Sequence, residues 1–299
     1  MSAKKTNGHK EVAIVKAGAL LSGAVTVDEL AEDAEQGGHG FASTDLAPPF
    51  VRILQKLSPQ LDKTESTFIK GAEEGDFLNS ATGRVYRGDP GIHFVPAAYT
   101  INYTEWKPRD SGGGLVADHG TNKDCFKKTT RVKGRDMTND GNVIVTSGLY
   151  FGYVVDPKTG DSEQAILAMS STQLKKSRNI NTLIQNFRME ITTKEGPKRI
   201  NPRMWFHMFH ITTVPESNDQ GKWMGYRAKR VGSILEHAWG HDLYEHAKML
   251  ADMFAKGEIR VRAEQMKGEA DDPGVAGDAA STGDTRPQAP TPVDPDIPF

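Results

Sequence analysis

EQAILAMSSTQLKKSRNINTLIQNF, residues 163–187, decides the fold, because one periodicity gives way to another inside it. Glu163–Ser170 is an apolar run of strand length. Beyond it, Leu174, Ile180, Leu183, Ile184 and Phe187 recur near helical spacing. Ser171 or Thr172 can cap that helix by accepting from the backbone N–H groups of its first turn. The stretch therefore predicts a strand running straight into a helix.

Two long strands are expected upstream: IHFVPAAYTINYTEW (92–106), with Pro96 marking an edge or bulge, and VIVTSGLYFGYVVD (143–156). Lys158-Thr159-Gly160 turns the second into the strand at 163–170. Downstream, PRMWFHMFHITTVPE (202–216) and GKWMGYRAKRVGSI (221–234) read as a fourth and a fifth strand. Five strands with a helix between the third and fourth is the element order of an OB-fold. The expected class is thus β-rich (α+β), with an OB-like five-stranded barrel at its centre. The insert between the first two strands holds a flexible loop, DSGGGLVADHGTNKD, and a polar, basic stretch, KKTTRVKGRDMTNDGN. Such barrels use this connection to hold oligonucleotides.

Around that centre, LAPPFVRILQKLSPQL (46–61) begins extended at Pro48-Pro49, then places Phe50, Ile53, Leu54 and Leu57 at helical spacing. GDFLNSATGRVYRG (75–88) reads as a hairpin about Ala81-Thr82-Gly83. Ile234–Lys256 predicts a closing amphipathic helix that stacks Leu243, Ala247, Leu250 and Phe254 and ends at Gly257. Three parts follow: a mostly disordered segment 1–45 with a short helical stretch at DELAEDAEQ, a domain 46–262 with its N-terminal extension, and a disordered acidic tail 263–299.

The formal net charge of -2 hides a partition. Residues 1–91 carry 10 Lys/Arg against 13 Asp/Glu, residues 92–262 carry 25 against 18, and residues 263–299 carry 2 against 8. A basic middle with an acidic tail suits a polyanion-binding domain whose tail competes for the same surface. No apolar run reaches the length needed to cross a bilayer. The N-terminal apolar stretch is a poor signal peptide, broken by Lys16, Gly18 and Ser22. The single cysteine, Cys125, excludes an intrachain disulfide and points to a reducing cytoplasm.

Single-strand binding needs cations along the phosphates and flat rings under the bases. Between Ala165 and Leu235 there are 12 Lys/Arg against 4 acids. The cations expected on DNA there are Lys175, Lys176, Arg178, Arg203, Arg227, Lys229 and Arg230, with Trp205 and Trp223 as rings. Strand alternation puts Trp205, His207 and Phe209 on one face, and Trp223, Gly225 and Arg227 on one face. The first strand and its loop add Tyr99, Tyr103, Trp106, Lys107, Arg109, Lys127, Lys128, Arg131 and Lys133. No catalytic residue, metal site or cofactor is expected. His207 and His210 point to opposite faces of a strand, and His237 and His241 lack the third ligand a zinc site needs. The rival chemistries are strand annealing, metal-dependent nuclease action, and a tail-only interaction protein.

The last residues, DPDIPF, resemble the acidic tip of bacterial single-stranded DNA-binding proteins. Asp294, Asp296, Ile297, Pro298 and Phe299 carry that resemblance. It implies recruitment of replication, recombination and repair proteins, with the Phe299 ring in an apolar pocket and its carboxylate on a basic rim. The tip departs from that pattern where Pro295 interrupts the acids. The body departs further, because about 90 residues precede the first barrel strand. It resembles bacteriophage-type single-stranded DNA-binding proteins in LAPPFVRILQKLSPQL, FIKGAEEGDFLNSATG, INYTEWKPRDSGGG and MSSTQLKKSRNINTLI. These resemblances imply a non-enzymatic, sequence-tolerant binder of single-stranded DNA in phage replication and recombination. It would act in the bacterial host's cytoplasm, away from membranes, with host or phage proteins as partners and homo-oligomerisation left open.

Overall fold

The computed structural model describes residues 47–108, 111–132, 134–218, 221–259 and 261. The segment 1–45 with its DELAEDAEQ stretch, Arg109, Lys133, and the tail 263–299 with the tip residues Asp294, Asp296, Ile297, Pro298 and Phe299 lie outside them. In chain order come β1 (Val51–Ile53), β2 (Phe77–Asn79), β3 (Val85–Tyr86), β4 (Ile92–Trp106), β5 (Leu115–Gly120), β6 (Thr129–Val132) and β7 (Arg135–Thr138). They are followed by β8 (Val143–Val155), β9 (Ser162–Ser170), α1 (Leu174–Asn186), β10 (Met189–Thr193), β11 (Gly196–Ile200), β12 (His207–Asn218), β13 (Gly221–Ser233) and α2 (Gly240–Ala255). The described residues are β-rich, with one eight-stranded sheet, one three-stranded and one two-stranded, all their ladders antiparallel.

β4 and β8 form the axis of the large sheet, paired from His93↔Val155 to Trp106↔Val143. Each changes partner along its outer edge. β4 pairs with β12 over Ile92–Phe94 and with β5 over Tyr103–Trp106. β8 pairs with β9 over Ser147–Val155 and with β7 at Val143–Ile144. One end of the ribbon therefore belongs to β13-β12-β4-β8-β9, and the other reaches out as an arm with β5, β6 and β7.

Both faces of β8 are covered, which is why it reads as a nearly unbroken apolar run. Leu149, Phe151, Tyr153 and Val155 pack with Leu243, Ala247 and Leu250 of α2. Tyr150 and Val154 face the second cluster, with Phe94, Leu167, Ile180, Phe209 and Ile211. Each fully buried side chain of this size contributes roughly 1.5–3 kcal/mol. The bulge expected at Pro96 is present between Pro96 and Ala98. It brings the chain so close that a Cβ on Gly152 would lie 2.1 Å from the Val95 carbonyl oxygen.

Among the described residues the strands do not close into a barrel. The gap between β9 and β13 holds the small sheet β1–β3. Phe50 makes a parallel bridge to Ile166 on the β9 side. On the β13 side the Gln55 amide accepts from Met224 N at 2.8 Å and donates to Met224 O at 2.9 Å. Gln173 Oε1 accepts from Tyr226 N at 3.0 Å. Two side-chain amides thus satisfy backbone groups on the outer edge of β13, where an unpaired edge would invite another strand.

Several sequence expectations change. Phe50–Leu57 is not a helical turn: β1 is a strand, sending Phe50 and Val51 into different core clusters. Much of the insert is not loop, because Leu115–Gly120 pairs with β4 and packs Leu115 against Trp106, and β6 pairs with β7. The fourth strand starts only at His207; Trp205 and Phe206 sit in a 3-10 turn, so Trp205 does not share a strand face with His207 and Phe209. Neither Ser171 nor Thr172 caps α1, which is entered through the 3-10 turn Ser171–Gln173. The closing helix begins at Gly240, after a 3-10 turn capped by Ser233 and Glu236. The hairpin of β10 and β11 was not anticipated.

Candidate nucleic-acid interface

α1 is seated by polar contacts at two places. The buried Tyr150 hydroxyl lies 2.8 Å from the Ser177 carbonyl oxygen, 2.8 Å from Asn181 Oδ1 and 3.0 Å from Ser177 Oγ. Burial pushes its ionisation far above the usual phenol range. Gly148 leaves room for this approach, since a Cβ there would meet Ser177 Oγ at 2.7 Å. At the first turn, Glu216 of β12 accepts from Gln173 Nε2 at 2.9 Å, from Trp223 Nε1 at 3.0 Å and from the Lys176 ammonium. Burial alone would raise the Glu216 carboxyl, but the hydrogen bonds from Lys176 and Gln173 outweigh it and hold it below its usual value. Lys176 and Gln173 therefore hold the start of α1 to the β12–β13 ribbon through Glu216, which the buried Trp223 braces from β13. Lys175 and Arg178 are exposed on the other side of the helix.

On β13, Arg227 and Lys229 are exposed while the alternate residues Tyr226 and Ala228 belong to the core. They pair with Thr212 and His210 of β12. His210 stacks on His93 with ring centroids 4.9 Å apart and lies 2.6 Å from the Pro90 carbonyl oxygen through Nε2. Burial first, and His210 second, hold His93 below the usual imidazole value.

Arg230 faces the other way. Its Nε donates to His207 Nδ1 at 2.9 Å, and its guanidinium carbon lies 3.9 Å from the Phe187 ring centroid. His207 stands nearly perpendicular to Phe187 and to Phe206, with centroids at 5.1 and 5.4 Å. It is fully buried, and burial followed by the Arg230 charge takes its pKa down to about 4. Trp205 packs instead against the α2 side of the core, with its ring at a steep angle to Tyr244. Arg203 is exposed, just before the turn that holds Phe206.

The arm distributes the remaining residues. Tyr99 is half-buried against Tyr150 at 4.8 Å. Tyr103 is buried, with Phe126 edge-on at 5.1 Å, and Trp106 is buried with Nε1 donating to Thr104 Oγ1 at 2.8 Å. Lys107 and Lys128 are exposed. Lys127 pairs with Asp124 at 2.8 Å, and Arg131 lies 3.6 Å from Asp136. Among the rings expected to stack on bases, Tyr103, Trp106 and Trp223 thus pack inside the protein. Phe187, which Arg230 overlies, and Phe206, which packs on Phe187, are rings of the same cationic segment but are not among those assigned to bases. Their only signal in the sequence is a ring at the end of a helix and another before a strand.

A groove of about 720 Å³ runs along the gap beside β13, lined by Leu54, Gln55, Leu57, Ala168, Met224 and Tyr226 among others. Among the described residues no group of His, Cys, Asp or Glu could hold a metal ion. No helix there is long and apolar enough to cross a membrane. The family model described as Pam3 phage gp34-like protein matches residues 16–260, well over half of the chain, and the chain belongs to this phage protein family. No curated protein and no solved structure matches it.

Proposed function

We propose that this member of the Pam3 phage gp34-like family binds single-stranded DNA with little regard to sequence. Through its C-terminal DPDIPF tip it hands that DNA to host or phage replication, recombination and repair proteins. The reading is non-enzymatic: neither a nucleophile with its base nor a metal is needed to grip a polyanion. The observation that carries it is a set of cations with no carboxylate partner among the described residues: Lys175 and Arg178 on α1, Arg227 and Lys229 on β13. In the same ribbon, on its other face, Arg230 lies over the Phe187 ring, which packs against Phe206. Cations beside rings are what a sequence-tolerant groove requires.

The strand arrangement supports the same reading. Numbered by chain order, the five core strands β4, β8, β9, β12 and β13 lie side by side as 5-4-1-2-3, with α1 following the third. We read this as an OB-type module opened between its third and fifth strands and plugged there by β1–β3. The arm would then be the enlarged connection between the first and second strands, one of the regions such modules turn toward oligonucleotides.

The test is titration of labelled oligo-dT at increasing salt. Binding is expected to be tight in dilute buffer. With four or five phosphates neutralised, log affinity should fall with log salt at a slope of about -3. A chain ending before Asp294 should bind at least as well and lose partner recruitment. A full chain that ignores oligo-dT in dilute buffer refutes the proposal. Pairing of complementary strands would move it toward annealing, and cleavage with magnesium toward nuclease action.

A further inference from the structure

We propose that Arg230 is a preassembled seat for one backbone phosphodiester of the bound strand, with His207 as its positioning residue. This deepens the single-strand reading and rests on it. A free arginine side chain samples many rotamers, and each contact with a ligand must overcome that entropy. Arg230 has already been ordered by its surroundings. The Nε–H is tied to His207 Nδ1 at 2.9 Å, and the guanidinium lies over the Phe187 ring with its carbon 3.9 Å from the centroid. These two contacts fix the plane and the direction of the fork. Its two Nη groups have no hydrogen-bond acceptor among the described residues. Burial lowers the Arg230 pKa from its usual value and the Glu236 charge only partly opposes this; Glu236 makes no ion pair with Arg230 and instead accepts from Ser233 N at 3.0 Å.

Two parallel N–H donors in one plane match two oxygens of a phosphodiester, a geometry a lysine cannot supply. His207 can serve this purpose only while neutral, because Nδ1 must accept. Full burial between Phe187 and Phe206 keeps it neutral throughout the physiological range. One of the rings that hold the imidazole, Phe187, also lies against the guanidinium, so a base attached to that phosphate has an aromatic neighbour.

The experiment compares oligo-dT binding across a salt series for the full-length protein, Arg230→Gln and Arg230→Lys, with circular dichroism to establish folding. Arg230→Gln should bind about tenfold more weakly at 0.1 M salt and lower the magnitude of the log–log slope by about 0.7, the loss of one phosphate contact. Arg230→Lys should keep the wild-type slope but lose about three- to fivefold in affinity, because a point charge replaces a fixed fork. His207→Phe, which removes the acceptor but keeps an aromatic ring, should behave as Arg230→Lys does. A folded Arg230→Gln with wild-type slope and affinity overturns the inference while leaving single-strand binding intact. If Arg230→Gln does not fold, Arg230→Lys decides alone, and wild-type affinity there overturns it. Failure of the unmodified protein to bind oligo-dT is a separate outcome that refutes the underlying reading.

Discussion

Acidification should destabilise this protein through His207 before any carboxylate contributes. The imidazole is fully buried, its Nδ1 accepts from Arg230, and its pKa is held at about 4 against an ordinary value of 6.5. Between those two values the unfolded chain binds a proton that the folded chain refuses. Stability is therefore complete above pH 6.5 and falls as the pH drops toward 4. At pH 5 the unfolded imidazole is protonated roughly thirtyfold over its neutral form, whereas the folded one is protonated only about a tenth. The ratio corresponds to about 2 kcal/mol lost between pH 7.5 and pH 5. Urea titrations at pH 7.5, 6 and 5, followed by circular dichroism, measure it. His93, also held low, drifts in the same direction. The informative quantity is thus the difference between wild type and His207→Gln, in which His93 and every other group cancel. The variant should start less stable at pH 7.5 and lose about 2 kcal/mol less on acidification. Parallel losses in the two proteins would show that His207 is not the buried neutral acceptor described here.

Glu216→Ala removes the shared acceptor of Lys176, Gln173 and Trp223. It should cost about 2 kcal/mol in urea denaturation, below the roughly 3–5 of a fully buried pair because both charged partners are about a quarter exposed. Glu216→Gln, which can still accept from Trp223, should recover part of the loss. Gly152→Ala forces a methyl to within 2.1 Å of the Val95 carbonyl oxygen at the β4 bulge. Its cost should reach about 3 kcal/mol, the upper end for overpacking, visible as a lowered midpoint in thermal melting.

The core strands were legible because each announces itself by local chemistry. β4, β8, β9 and β13 are long apolar or alternating runs between turn residues, and α1 has a helical stripe in Ile180 and Ile184. What escaped were elements whose stability comes from elsewhere. β1 is three residues long and exists because Val51 and Phe77 pack into a core built mostly by distant strands. β5 contributes little of its own hydrophobicity and is held by the protruding end of β4. β10 and β11 pair only with each other and expose much of their length.

The limit on reading the site has a different origin. A period of two says which residues share a face of a strand, but not which face meets water. On β13 the odd positions are buried at Trp223 and Gly225, then exposed at Arg227 and Lys229. The change occurs because α1 covers only one end of that face, and Glu216 draws Lys176 and Trp223 beneath it. Glu216 lies 40 residues from Lys176, so no window along the chain can reveal the pairing. The same holds for Arg230 and Phe187, which sit on different elements and meet only in the folded chain. Sequence therefore identified the charges and rings of this region, while tertiary contacts decided which of them stay exposed. Cations with carboxylates nearby in space became structural ties. Arg230 instead lies over a ring, and Lys175, Arg178, Arg227 and Lys229 remain exposed to solvent.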